Sequence, residues 1–278
     1  MRYQIRRTTS SENLQVRRRL YSQNYLRSPK LITKLIRNSS IGKNDTVLEI
    51  GAGRGIITQE LVKFAGKVIA VEIDDNLYRE LNKKFYEVRN CVTLHCNILD
   101  YNLPQYPYKV FANIPFIITA DIIRKLTFDN NFQEGYLVVQ NEAAKKFIGK
   151  PLDHRNQMMA TLLKPWFDIS LFWRFEKSDF VPTPKINTTM IRISKVTTPL
   201  INKSYAMLYR DFVLYKYSRS KVAKLNFDQF LKMFNSYVYK TSDAQKMVIA
   251  NYARKILRQQ KGLEKIHRTR LDKHWRKF

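Results

Sequence analysis

Thr46-Val47-Leu48-Glu49-Ile50-Gly51-Ala52-Gly53-Arg54-Gly55 is a short β-branched and aliphatic run that breaks into three glycines at alternate positions, followed by an apolar-periodic run from Ile56 to Phe64. Strand, tight turn and helix is the local reading, because glycine lets the backbone reverse sharply and lets a ligand approach it. Outward from this unit, Val68-Ile69-Ala70-Val71 reads as the next strand and Asp75 to about Val88 as the next helix. The alternation continues through Val92-Thr93-Leu94-His95, Lys109-Val110-Phe111-Ala112, a helix from Thr119 to Phe128, Tyr136-Leu137-Val138-Val139 and a helix from Glu142 to Ile148. Ile169 to Phe175 and Thr189 to Ile193 read as closing strands. Such a rhythm predicts an α/β, Rossmann-like fold: a mostly parallel seven-stranded sheet with helices on both faces and ligands at the carboxyl ends of the strands.

Upstream, Ser28-Pro29 opens a helix whose apolar face is Leu31, Leu35 and Ile36, and Gly42 and Asn44 end that unit. After Pro199 only helical patterns remain, Tyr205 to Tyr217, Phe227 to Tyr237 and Asp243 to Gln259, which predicts a small all-α C-terminal domain. Residues 1–20 carry Arg2, Arg6, Arg7, Arg17, Arg18 and Arg19 against Glu12 alone and read as a basic flexible arm. The expected division is therefore an arm at 1–20, an α/β domain at 21–196 and a helical domain with a basic tail at 197–278.

Fifty Lys and Arg against 23 Asp and Glu leave a net charge of +27. Self-repulsion of that size points to a polyanionic partner, with nucleic acid ahead of an anionic membrane surface. From Gln245 onward eleven Lys or Arg face only Glu264 and Asp272, a second basic surface suited to phosphates. No apolar stretch approaches the roughly eighteen residues of a membrane span, and the N-terminus lacks the apolar segment of a secretory signal. A soluble, cytoplasmic monomer with no membrane partner is expected. Cys91 and Cys96 are read as reduced structural thiols, and His95, His154, His267 and His274 show no metal or triad spacing, so no metal is expected.

Two constellations carry chemistry. The glycines follow Glu49 in a Gly-x-Gly-x-Gly pattern tighter than the dinucleotide form, which suits a cationic, phosphate-free ligand; S-adenosylmethionine fits. Glu72 closes the next strand 19 residues after Gly53, near the spacing at which a ribose diol is held. A nucleotide-phosphate loop or a plain turn remains the alternative, although no Gly-Lys-Ser or Gly-Lys-Thr offers a lysine to phosphates. Asn113-Ile114-Pro115-Phe116 places an amide, a proline-fixed carbonyl and an aromatic ring within four residues, a grip for the exocyclic amine of a flipped base. The same tetrapeptide is also an ordinary turn initiator, and Phe116 also fits a core position.

Ser22-Gln23-Asn24-Tyr25-Leu26, Leu48-Glu49-Ile50-Gly51-Ala52-Gly53, Val71-Glu72-Ile73-Asp74, Asn113-Ile114-Pro115-Phe116 and Phe180-Val181-Pro182-Thr183-Pro184-Lys185-Ile186 occur in the order found in one family. Over roughly Tyr21 to Ser194 the chain resembles the Erm-type ribosomal RNA adenine N6-methyltransferases, and Phe234-Asn235-Ser236-Tyr237 is similar to their C-terminal segment. The resemblance implies a class I methyltransferase fold and S-adenosylmethionine contacts at Gln23, Asn24, Leu26, Gly51, Gly53, Glu72, Ile73, Asn97, Ile98 and Asn113. Where Asn97 stands the family usually has Asp, so the cofactor's adenine amine is expected to meet an amide oxygen instead. For the target base the resemblance implies Asn113, Ile114, Pro115 and Phe116, with Phe180 either covering the second face of the adenine or packing in the core. It further implies 23S rRNA or its precursor as substrate, at the peptidyl transferase loop whose dimethylation blocks macrolide, lincosamide and streptogramin B antibiotics. A related small-subunit rRNA dimethyltransferase, and a non-catalytic RNA-binding factor on the same fold, are the competing readings.

Overall fold

The computed structural model of the chain describes residues 24–149, 152, 157–219 and 222–262. The basic arm at 1–20, Gln23, His154 and the tail beyond 262 lie outside the described residues. The short strand β1 (Tyr25–Leu26) precedes α1 (Pro29–Asn38). Ser28 caps α1 by accepting the Leu31 N–H at its Oγ (3.2 Å), and Pro occupies the first turn, where a missing donor costs nothing. The buried stripe is Ile32, Leu35 and Ile36, one position displaced from the expected Leu31 face.

The alternation then runs β2 (Thr46–Ile50), α2 (Ile56–Phe64), β3 (Lys67–Glu72), α3 (Asp75–Phe85), β4 (Cys91–His95), β5 (Tyr108–Asn113), α4 (Thr119–Phe128), β6 (Phe132–Gln140) and α5 (Asn141–Ile148). Asp74 caps α3 by accepting the Asn76 and Leu77 N–H groups, and the helix stops three residues short of the expected Val88. A six-residue helix α6 (Met158–Leu163), strands β7 (Phe167–Arg174), β8 (Phe180–Val181) and β9 (Thr188–Lys195), and helices α7 (Ala206–Arg219), α8 (Phe227–Lys240) and α9 (Asp243–Gly262) complete the described chain.

Seven strands form one sheet in the order β4-β3-β2-β5-β6-β9-β7. The first five are parallel, and β9 pairs antiparallel with both β6 and β7. From β2 the chain steps outward through β3 and β4, then crosses back to β5 on the other side and continues to β6. Adjacent loops therefore diverge above β2 and β5, and that divergence opens a crevice at the carboxyl ends of the strands.

Period-two alternation sorts the sheet residues onto two faces. Leu48, Ile50, Val110, Ala112, Leu137 and Val139 pack with Ile122, Ile123 and Leu126 of α4 and Phe147 of α5. Val47, Val68, Phe111, Tyr136 and Val138 pack on the other face with α1 and α2. Each of the Val, Leu, Ile and Phe side chains contributes about 1.5–3 kcal/mol on burial, which makes the sheet a rigid platform for the loops above it. The last three helices have their own aromatic core of Tyr209, Phe212, Phe230, Phe234 and Tyr237, with Tyr209 edge-on to Phe234 at 4.9 Å. Helix α6 joins the two units, since Tyr209 donates to the Thr161 carbonyl (2.7 Å) and Leu162 packs against the helical core. No described helix is long and apolar enough to cross a membrane.

Candidate active site

The crevice is built from the ends of β2, β3 and β5. Beyond Ile50 the backbone enters the left-handed region at Gly51 (φ 71°) and again at Gly53 (φ 57°). The Gly51 and Ala52 N–H groups both donate to the Val71 carbonyl (2.8 and 3.0 Å), tying the loop to β3. At Gly53 the missing side chain is used, since a Cβ there would lie 2.7 Å from the Tyr25 ring; one on Gly51 would lie 3.8 Å from Pro115 Cδ, an ordinary contact, so Gly51 is required by its positive φ. The glycine loop thus packs closely on β1 at Gly53 and faces the Asn113–Phe116 segment at Gly51, where a Cβ would still fit in ordinary contact.

Glu72, at the end of β3, is buried and gripped by main chain. Its Oε2 accepts the Gly53 N–H (2.7 Å), and its Oε1 accepts the Ile73 and Asp74 N–H groups (both 2.8 Å). Glu49 lies beneath, 1% exposed, with Oε2 accepting from Thr58 Oγ1 (2.6 Å) and Oε1 without a partner among the described residues. Burial, reinforced by the nearby Glu72 and opposed by the Thr58 bond, pushes its carboxyl up to about 8. Two carboxyl groups, one with an unsatisfied buried oxygen, beneath a left-handed glycine loop fit a compact cationic ligand and offer nothing positive to a phosphate.

Asn113 ends β5 and its Nδ2 donates to the main-chain carbonyl of Asn24. Ile114 is buried in the core, Pro115 is extended (φ −61°, ψ 122°), and the chain then tightens into a 3₁₀ turn at Phe116–Ile118 before α4. The Phe116 ring is partly exposed and belongs to none of the described core clusters, so a base can reach it. Two segments far apart in sequence meet beside the crevice: β1 pairs antiparallel with β8 (Tyr25 opposite Val181, Leu26 opposite Phe180), and the Arg27 N–H donates to the Asp179 carbonyl (3.0 Å). Beyond β6, next to β5 in the sheet, Gln140, Asn141, Lys177 and Lys185 help line an open cavity of about 300 Å³.

The sequence model of the ribosomal RNA adenine dimethylase family matches residues 14–258. The chain belongs to that family. It is accordingly an S-adenosylmethionine-dependent methyltransferase of the class I fold. An rRNA adenine N-6-methyltransferase of Limosilactobacillus reuteri is 32% identical over 236 residues, covering 78% of this chain and 95% of that protein. Among solved structures, the 23S rRNA methyltransferase ErmE shares the fold at a TM-score of 0.69 and 22% identity, covering 76% of this chain and 98% of that one. A dimethyladenosine transferase from Plasmodium falciparum shares it at 0.61 and 24% identity, covering 70% of each chain.

Within this family member the expected site residues are placed unequally. Gly51, Gly53, Glu72, Asn113 and Pro115 converge at the crevice, with Asn24 joining them through its carbonyl; Phe116 follows in the adjoining 3₁₀ turn, and the Ile114 side chain points into the core. Phe180 does not present a face for stacking: it is 1% exposed and packs edge-on against Phe175 (5.2 Å), so of its two readings the core one holds. Leu26 and Ile98 point their side chains into the two core clusters, while Ile73 is 42% exposed at the rim. The Asn97 amide is already engaged, its Oδ1 accepting the Leu99 N–H (3.0 Å) and its Nδ2 donating to Asp100 (2.9 Å). His95, read as unremarkable, stacks on Tyr78 (4.9 Å) with Nε2 3.2 Å from the Ile73 carbonyl, steadying the loop after Glu72. Tyr25 and Thr58 were missed as site residues. Only an acidic residue inside the apolar strand Val47-Leu48-Glu49-Ile50 signals that a polar partner such as Thr58 must sit opposite.

Proposed function

We propose that this methyltransferase modifies the exocyclic N6 of a flipped adenine in 23S rRNA, at the peptidyl transferase loop, and so confers resistance to macrolides, lincosamides and streptogramin B. The observation that carries the reading is the placement of the Asn113–Phe116 segment beside the glycine loop, where a Cβ on Gly51 would lie 3.8 Å from Pro115 Cδ and 4.0 Å from the Asn113 carbonyl oxygen. Five ordered motifs like those of the Erm-type enzymes, and a fold shared with ErmE over nearly all of that chain, support the large-subunit target.

When bound, S-adenosylmethionine supplies an electrophilic methyl carbon on a sulfonium. Gly51 and Gly53 would bring main chain against it, Glu72 would take the ribose hydroxyls, and Glu49 would answer its positive charge. The adenine amine is a weak nucleophile because its lone pair is delocalised into the ring. Asn113 Oδ1 and the Ile114 carbonyl would accept the two amine hydrogens, holding the lone pair on nitrogen and directing it at the methyl. No general base stands in the tetrapeptide and none is required, since a protonated aromatic amine is acidic enough to lose its proton to water. Phe116 would stack on the flipped base, and Lys177 and Lys185 beside the neighbouring cavity would meet the phosphates of the adjoining strand.

Primer extension across 23S rRNA from cells with and without the gene tests the proposal, read beside macrolide resistance. A stop at one adenine of the peptidyl transferase loop, present with the wild type and absent with Asn113→Ala, is the expected result. Modification only at the adjacent adenines near the 3′ end of small-subunit rRNA would move the assignment to that substrate.

A further inference from the structure

Asn113 is oriented by a residue 89 positions away in the chain. Its Nδ2 donates to the main-chain carbonyl of Asn24, at the entrance to β1. A carbonyl only accepts, so the end of the amide facing Asn24 must be the NH₂, and this network settles the assignment of the two amide atoms. Oδ1 is thereby turned to the opposite side, where it accepts no hydrogen bond from any described residue.

The carbonyl that does this is itself held firmly. Tyr25 and Leu26 pair with Val181 and Phe180, the Arg27 N–H donates to Asp179, and Tyr25 lies on the bare face of Gly53. Leu26 and Phe180 are both 1% exposed and anchor the ribbon in the core. Phe180, withdrawn from any stacking position, thus supports the strand that aims Asn113.

We infer that the Asn24 carbonyl is a positioning group that selects an amide over a carboxylate at position 113 and points Oδ1 at the target amine, so that the β1–β8 ribbon forms part of the target-base site. The inference rests on the proposed function for the identity of the amine. The orientation itself does not depend on it. If acceptor strength at position 113 were all that mattered, Asp would serve as well as Asn. With the carbonyl in place, a carboxylate would set two acceptors face to face and lose the only donor in the pair.

The decisive experiment compares wild type, Asn113→Asp and Asn113→Ala in two readouts. Hydrogen exchange of the ligand-free protein reports the ribbon through the Arg27 amide, which donates to Asp179. Loss of one hydrogen bond should speed its exchange roughly tenfold in Asn113→Ala and more in Asn113→Asp, with the β5 and β6 amides unchanged. Methyl transfer should fall at least as far in Asn113→Asp as in Asn113→Ala, read as kcat with S-adenosylmethionine saturating for each variant. Should the Asp variant fail to fold, the Ala variant alone still decides the exchange arm. An Arg27 amide unaffected by both variants, or an Asp variant close to wild-type rate, would overturn the inference. A wild type that methylates no RNA adenine would instead defeat the proposed function and leave the exchange result standing.

Discussion

Glu49→Gln should make this protein less sensitive to pH, and the size of the effect follows from where Glu49 sits. The side chain is buried under the glycine loop, with Glu72 near it, Thr58 donating to one oxygen and Cys91 close by, whose thiol is pushed up to about 12 by burial and then by Glu49. The folded-state carboxyl titrates near 8, against a reference of 4.5 for an exposed one. Between those values the native protein holds a proton that the unfolded chain has released. Stability therefore falls as pH rises through that window, by up to about 1.4 kcal/mol per pH unit, and levels off above the folded value. Gln does not titrate, yet it keeps an oxygen for Thr58. The stability of the variant relative to wild type should thus rise by about 3 kcal/mol between pH 5.5 and 7.5. Urea unfolding of both proteins at pH 5.5, 6.5 and 7.5, followed by circular dichroism, measures this difference, in which titrating groups not coupled to Glu49 cancel. A difference that stays constant across the three pH values would refute the reasoning. The same burial gives a second signature: a cationic ligand that draws the carboxyl into its ionised form releases a proton, so the enthalpy of S-adenosylmethionine binding near pH 7 should vary with the buffer for wild type and not for the variant.

Phe116→Leu should lower methyl transfer roughly ten- to hundredfold, the worth of one base–aromatic stack, while Phe116→Tyr should retain most activity; equal losses would argue against stacking. Gly53→Ala should weaken S-adenosylmethionine binding in calorimetry, because its Cβ would press on the Tyr25 ring at 2.7 Å and its φ of 57° is unfavourable for any side chain; wild-type affinity would show that the loop relaxes without harm to the site. RNA binding should fall steeply with salt, as a net charge of +27 requires, and Lys177→Ala or Lys185→Ala should each lower the slope of log K against log salt by about one if the lysine meets a phosphate; an unchanged slope would remove it from the RNA path.

The elements with long periodic patterns are legible in the sequence alone. Helices α2 (Ile56–Phe64) and α4 (Thr119–Phe128) stand where their apolar periodicity places them, because strong local patterns leave tertiary contacts little to override. Helix α6 is not legible in the sequence: Met158–Leu163 is six residues long, too short to show a period, and its Thr161 is buried through tertiary bonds to Tyr209 and Tyr217 of α7. The two-residue strands β1 and β8 were invisible for a related reason, since each exists only by pairing with the other across some 150 residues of chain. Phe180 shows the same limit in the site. An aromatic in a proline-stiffened loop fits a stacking face and a core position equally well in sequence, and only the packing of Phe175 against it decides.

Composition and local spacing thus determined the basic character that suits a polyanionic partner, the mostly parallel sheet, the glycine turn and the Asn113-Ile114-Pro115-Phe116 turn that follows β5, since charge, backbone freedom and side-chain chemistry are carried by each residue wherever it lies. What the tertiary structure alone decided is direction. Asn113 turns its Oδ1 away from β1 only because the Asn24 carbonyl holds the other end of the amide, and Glu49 keeps its proton near neutrality only because the fold removes it from water. Both depend on contacts between segments that are distant in sequence, and no local pattern encodes them.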